Sequence, residues 1–439
     1  MRRLYNILRN NYILLLSLLI IVFYRLFYFK FGIYTILYNS DTVTYFTKNN
    51  LLNLKIDLYR TPIYPFILNF FEYISLEHFI RNLILFQHII AIICLPFLFF
   101  SIQNSTKNKY LASITTIIFG CNHLVLDQIK NIIPESLSIA SSIFLIFLTS
   151  SYVKKPTTSK AVLIGIAPFI LIMLKPNFII LYPIILLFIL LKFREKSIDR
   201  NNIITISISW LLSCLFLYGY CLLNKQINNE FTLSKIAVNN SISNIAKSGA
   251  YKLGKDRELI SIVDKTKNIG HYEYYTTVFT INNEFIDKFK IYNQNKVLKQ
   301  YPPTGDIEFC LKIPDTKNFS AERINKFVNH SQKSKIFTFY VLKRMVGIFT
   351  LKPTLLIVIF ILSIYIVYNF SFRVSIDWVL ILSITYITFT YITLAINGIN
   401  DWERVLLPCY PFIAFIYAFF INFLKNPFLS LYRKFSSLK

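Results

Sequence analysis

The sequence predicts an all-α polytopic membrane protein, a transmembrane helix bundle of about ten spans with a large non-cytoplasmic insertion. Three observations lead there. Hydrophobic residues make up 55% of the 439-residue chain, above the ~45–50% usual for soluble domains. Apolar runs of roughly 17–22 residues recur, each long enough to cross a hydrocarbon core of about 30 Å. Charged residues are only 16% of the chain, and the basic ones gather at the ends of those runs, where they act as topology anchors.

Taken in order, the expected spans are 12–31, 82–102, 110–126, 134–152, 160–174, 177–193, 202–223, 353–370, 377–396 and 405–424. Arg2, Arg3 and Arg9 precede the first, which lacks a small-residue cleavage site and reads as a retained helix. Lys107 and Lys109 follow the second, and Lys154, Lys155 and Lys160 follow the fourth, which opens at Pro134-Glu135. The fifth and sixth form a short pair hinged at Lys175-Pro176-Asn177. Lys192, Arg194, Lys196 and Arg200 come next, and Arg433, Lys434 and Lys439 close the chain. The alternate short connections, 127–133, 175–176 and 397–403, carry far fewer cations. The positive-inside rule then predicts a multi-pass protein of the plasma (inner) membrane with both termini cytoplasmic. The organisation that follows is an N-terminal module at 1–223 with a first outer loop at 33–81, a non-cytoplasmic subdomain at 224–352, and C-terminal helices with a tail at 353–439. The end of the insertion, Ile336 to Val346, reads as a helix lying in the interface.

Several function classes drop out. A net charge of +25 invites nucleic acid, yet no compact basic stripe with interleaved aromatics stands apart from the helices. The cations read as interfacial anchors, so no nucleic-acid partner is expected. Cys94, Cys121, Cys214, Cys221, Cys310 and Cys409 share no C-x-x-C spacing, and His78, His88, His123, His271 and His330 show no ligand spacing. Neither a disulfide framework nor a zinc site is predicted. No internal repeat supports a transporter with inverted halves.

The first outer loop carries the sharpest pattern. Ser40 can cap a helix from Asp41, with Asp41 and Tyr45 on one face. Asp57-Leu58-Tyr59-Arg60-Thr61-Pro62-Ile63-Tyr64-Pro65 follows, and Thr61-Pro62 suits the start of a second short helix. Asp41, Tyr45, Arg60, Pro62 and Pro65 resemble, in order and spacing, the first loop of the GT-C superfamily of membrane glycosyltransferases. The likeness is greatest to the branch with protein O-mannosyltransferases and the lipid A aminoarabinose transferase. There an acid just past the first helix precedes a Tyr and then Arg-x-Pro-x-x-Pro. Pro134-Glu135 at the fourth span and Arg404 to Pro408 at the last match more loosely. The insertion is not covered.

The resemblance implies transfer of a sugar from a polyprenyl-phosphate donor to a glycan, lipid or protein acceptor at the outer face, with membrane lipid as the surrounding partner. By this reading Asp41 is the general base, and Glu135 supports the site. Arg60, Lys175 and Arg404 neutralise the carrier phosphate, and Tyr45 lines the substrate. Those residue types suit the chemistry: a lipid phosphate calls for forked cations, and an attacking hydroxyl calls for a carboxylate. Mannosyltransferase members commonly carry Asp-Glu where this chain has Asp41-Thr42, and no D-x-D is present, so no cofactor or obligatory metal is expected. The alternatives are an O-antigen polymerase or ligase, whose catalytic loop comes late in the chain, and a lipid-linked glycan flippase or transporter, which calls for charges or broken helices near mid-membrane.

Overall fold

The computed structural model describes residues 2–32, 45, 60–194, 200–234, 245–267, 321–351, 378–397 and 406–436. The described chain is all-helical, without strands. Its helices are α1 (Arg2–Gly32), α2 (Ile63–Ile74), α3 (Phe79–Ile93), α4 (Leu95–Thr106), α5 (Lys109–Gly120), α6 (His123–Ile129), α7 (Glu135–Lys154) and α8 (Thr158–Leu174). They continue as α9 (Leu181–Arg194), α10 (Arg200–Asn228), α11 (Arg257–Lys267), α12 (Ala321–Gln332), α13 (Lys335–Leu351), α14 (Trp378–Asn397) and α15 (Tyr410–Ser436).

Four stretches are long and apolar enough to cross a membrane: Asn11–Tyr28, Phe79–Thr106, Glu135–Lys154 and Arg200–Asn228. They match the spans expected at 12–31, 82–102, 134–152 and 202–223. The span expected at 110–126 is broken: α5 and α6 meet at 51° across Cys121-Asn122 and would count as a fifth only together. Asn122 makes the break by capping α6, its side chain accepting from the Leu124 N–H at 2.9 Å. The segments expected at 160–174, 177–193, 377–396 and 405–424 are shorter apolar helices, and 353–370 lies outside the described residues. The Phe79–Thr106 stretch is itself interrupted at Cys94, because Pro96 sits in the first turn of α4 without an N–H to continue the ladder.

The centre of the bundle is α7. Within its span 72% of residues are buried, against 22% for the spans in α1 and α10, whose apolar sides face outward. It packs against α3, α4, α6, α8, α14 and α15. Two of its buried hydroxyls bond back within the helix: Ser138 and Thr149 donate to the carbonyls of Pro134 and Leu145 four residues back, both at 2.8 Å. Helix α8 crosses α10 closely at Gly165. A Cβ on Gly165 would meet Ser209 Cβ at 2.5 Å and the Ile206 carbonyl oxygen at 2.7 Å, so only glycine lets the two backbones approach this far.

Part of the insertion forms its own small helical core. Tyr251, Leu259, Val263, Phe327 and Phe337 are buried together. Arg323 clamps it, donating to both Asp256 carboxylate oxygens (2.6 and 2.9 Å) and to Glu258 at 2.8 Å. These Arg323 hydrogen bonds hold the Asp256 carboxyl below the usual aspartate value. A depressed native value means that the clamp's contribution is complete above the unfolded aspartate value of ~4 and fades as pH falls through the lowered one. Amide exchange of 245–267, corrected for its intrinsic pH dependence, is therefore expected to lose protection only below about pH 4, and Arg323→Ala to remove the pH dependence. A flat wild-type profile would contradict the clamp.

The helix expected to start at Thr61-Pro62 begins at Ile63, with Pro62 at the cap position and no side-chain cap. The correction is physical: a proline ring fixes its own backbone angle and serves as the entry without a capping hydroxyl. The helix expected at Ile336–Val346 is present as part of α13, which packs against α14.

Candidate functional site

Four elements meet at one end of the bundle, around the buried Tyr64 of α2. Its hydroxyl donates to Gln87 Oε1 at 3.1 Å. Gln87, in α3, turns its amide to the carbonyls of Ile129 (2.9 Å) and Asn131 (3.1 Å). A side-chain amide thus satisfies two carbonyls at the end of α6, where helical partners run out. That fixes the connection leading from α6 into α7, and with it the position of Glu135.

Glu135 is the first residue of α7, where a carboxylate is favoured by the helix dipole. Lys175 caps the C-terminus of α8 in an extended conformation (φ −150°, ψ 122°), and Pro176 then starts a short 3-10 turn, Pro176–Ile180. The expected hinge is therefore present, and it aims Lys175 back across the bundle. Lys175 Nζ lies 3.2 Å from Glu135 Oε1, with the two residues 7% and 2% exposed.

Arg60 arrives from the first loop, directly before α2. Its Nη1 donates to the Tyr45 hydroxyl at 3.0 Å, and the guanidinium sits 4.1 Å from the Tyr45 ring centroid. The Tyr45 ring meets Tyr64 edge-on, 5.1 Å between centroids. Burial pushes the Tyr64 phenol well above its ordinary value, and the neighbouring Tyr45 and Glu135 add to this. Tyr64 therefore stands between the Arg60–Tyr45 pair and the Glu135–Lys175 pair. Leu68, Phe79, Ile133, Leu137 and Leu174 belong to the apolar cluster around both pairs. Such surroundings strengthen any electrostatic interaction made there.

Of the six residues singled out from the sequence, Tyr45, Arg60, Glu135 and Lys175 are thus gathered at one place. Asp41 and Arg404 lie outside the described residues. The turn that follows Arg404, Leu407–Cys409, packs against α7, with Cys409 close enough to feel the Lys175 charge. Among the described residues, no group of three His, Cys, Asp or Glu could hold a metal ion.

Sequence reasoning missed Tyr64 and Gln87. The signal for Gln87 was available: Gln87-His88 is a polar pair inside an otherwise apolar run, and polar groups at membrane depth are kept for a reason. Tyr64 gave no signal of its own, since it reads as one more aromatic in a chain with 29 tyrosines.

Compared with models of protein families, with curated proteins and with solved structures, the chain finds no match.

Proposed function

We propose that this protein is a membrane glycosyltransferase of GT-C type. It moves a sugar from a polyprenyl-phosphate donor to a cell-envelope acceptor at the non-cytoplasmic face of the plasma (inner) membrane. What carries the reading is the convergence of Arg60 and the Glu135–Lys175 pair, from distant parts of the chain, on the single buried Tyr64. Charged groups withdrawn from water at one end of an apolar bundle are costly to maintain without a task. In the proposed reaction an acceptor hydroxyl attacks the anomeric carbon, and Asp41 takes the hydroxyl proton. The bond from that carbon to the phosphate oxygen breaks, and its electron pair leaves with the polyprenyl phosphate. Arg60, Lys175 and Arg404 meet the departing charge, with Tyr45 orienting Arg60 and Glu135 orienting Lys175.

The test is transfer of radiolabel from polyprenyl-phosphate sugars by the purified full chain. Asp41→Asn is expected to lower turnover by about 10²-fold or more. Unchanged turnover would remove Asp41 as the base. A flippase is the second reading, favoured by Arg25, a guanidinium buried within α1, and by the broken α5–α6 span. If label crosses the bilayer but never leaves its lipid, the flippase stands and the transferase falls.

A further inference from the structure

A second polar cluster lies where α1, α3 and α6 meet, apart from the site around Tyr64. Arg25 in α1 is 1% exposed. Its Nε donates to the Gly120 carbonyl at 3.1 Å, while its Nη1 has no hydrogen-bond partner. Among the described residues Arg25 pairs with no carboxylate, so its positive charge is buried against one neutral carbonyl dipole. Burial of that kind is strongly unfavourable unless a counter-charge arrives.

The neighbours of Arg25 are basic too. Lys130 follows α6 and is buried. The two carbonyls that Gln87 holds, those of Ile129 and Asn131, flank it on either side. His88, next to Gln87 on α3, is within electrostatic reach of both Arg25 and Lys130. Contacts bring the three segments together: Lys130 Nζ stands over the Tyr28 ring, one turn along α1 from Arg25, and Gln87, the neighbour of His88, bonds the carbonyls on both sides of Lys130.

The rim of the cluster is more open. Tyr28 donates to Asp127, and Tyr24 hydrogen-bonds His123 Nε2 at 3.0 Å. Lys130 Nζ stands 3.8 Å from Asp127, whose side chain is 45% exposed, and 4.4 Å from the Tyr28 ring centroid. The contact is long and its Asp127 side is open to water, which weakens the pair, so Lys130 can exchange Asp127 for a stronger anion.

We propose that Arg25, His88 and Lys130 form a second anion site, which receives a phosphate group. In the glycosyltransferase reading, on which this last assignment rests, the phosphate belongs to the headgroup of a lipid-anchored acceptor. Gln87 ties the two sites together: its own amide serves Tyr64, and its neighbour His88 serves the second site. Donor and acceptor phosphates would then lie on either side of α3, each held by its own cations.

The experiment titrates the full chain, in nanodiscs of zwitterionic lipid, with dihexanoyl phosphatidate and separately with inorganic phosphate. Wild type is expected to bind two equivalents of phosphatidate. Arg25→Gln and Lys130→Gln should each weaken one of them by about tenfold or more. Arg25→Lys should keep most of the binding, and Asp127→Asn, which releases Lys130, should tighten it. Arg60→Gln should remove only the other equivalent. If it removes neither while Arg25→Gln removes one, the carrier reading fails and the second site stands. A second equivalent for both probes assigns the site to phosphate itself, and one for phosphatidate alone assigns it to a lipid headgroup. Two equivalents persisting in both Arg25→Gln and Lys130→Gln overturn the proposal, as does a loss in Asp127→Asn or the lack of a second equivalent in wild type.

Discussion

Lys175→Met is expected to destabilise the protein by about 3–5 kcal/mol, the loss typical when one member of a buried ion pair is removed. The cost does not come from lost attraction alone. Glu135 is 2% exposed, so its carboxylate would stay in apolar surroundings without the cation 3.2 Å away. The double variant Lys175→Met/Glu135→Gln removes both charges and should recover to within about 1–2 kcal/mol of wild type, since a buried pair is often nearly neutral against an uncharged replacement. Thermal unfolding in detergent of the wild type, both single variants and the double variant measures the coupling. Additive effects would show that the two groups do not act as a pair. The same variants separate stability from the proposed chemistry: the double variant should regain its melting temperature and still fail to transfer sugar.

Gly165→Leu should cost about 3 kcal/mol or more, beyond the ordinary range for overpacking. Its obstacles include backbone, the Ile206 carbonyl oxygen and the Trp210 nitrogen, which cannot swing aside as a side chain can. The helices α8 and α10 would have to separate, and Lys175, at the end of α8, would move with its helix. Gly219 on α10 is the internal control, because a Cβ there meets nothing within 4 Å. Gly219→Leu should therefore unfold near the wild-type temperature. If the two leucine variants melt alike, the close crossing is not what makes Gly165 necessary.

The apolar segments were legible because twenty-residue apolar runs have few other uses, and the long helices at 79–106, 135–154 and 200–228 follow them closely. Breaks were legible only where a breaker stood in plain view. Lys175-Pro176 announced its hinge, whereas Cys94 and Cys121-Asn122 interrupt runs whose hydropathy barely changes. Pro96 and the capping side chain of Asn122 were the local signals. At the site, Arg60 and Lys175 stood out as charges beside apolar runs. Tyr64 did not, because its importance comes from what the fold places beside it, and Gln87 and Arg25, though polar within apolar runs, did not name their partners.

The all-round burial of α7 also bears on how the protein is made. Helices α14 and α15, which supply two of its flanks, are translated more than two hundred residues later. A nascent chain that has delivered only its first two hundred residues therefore holds its central helix against lipid or an insertion factor. The packing around α7 is complete only once the C-terminal helices have joined the bundle and displaced that temporary neighbour.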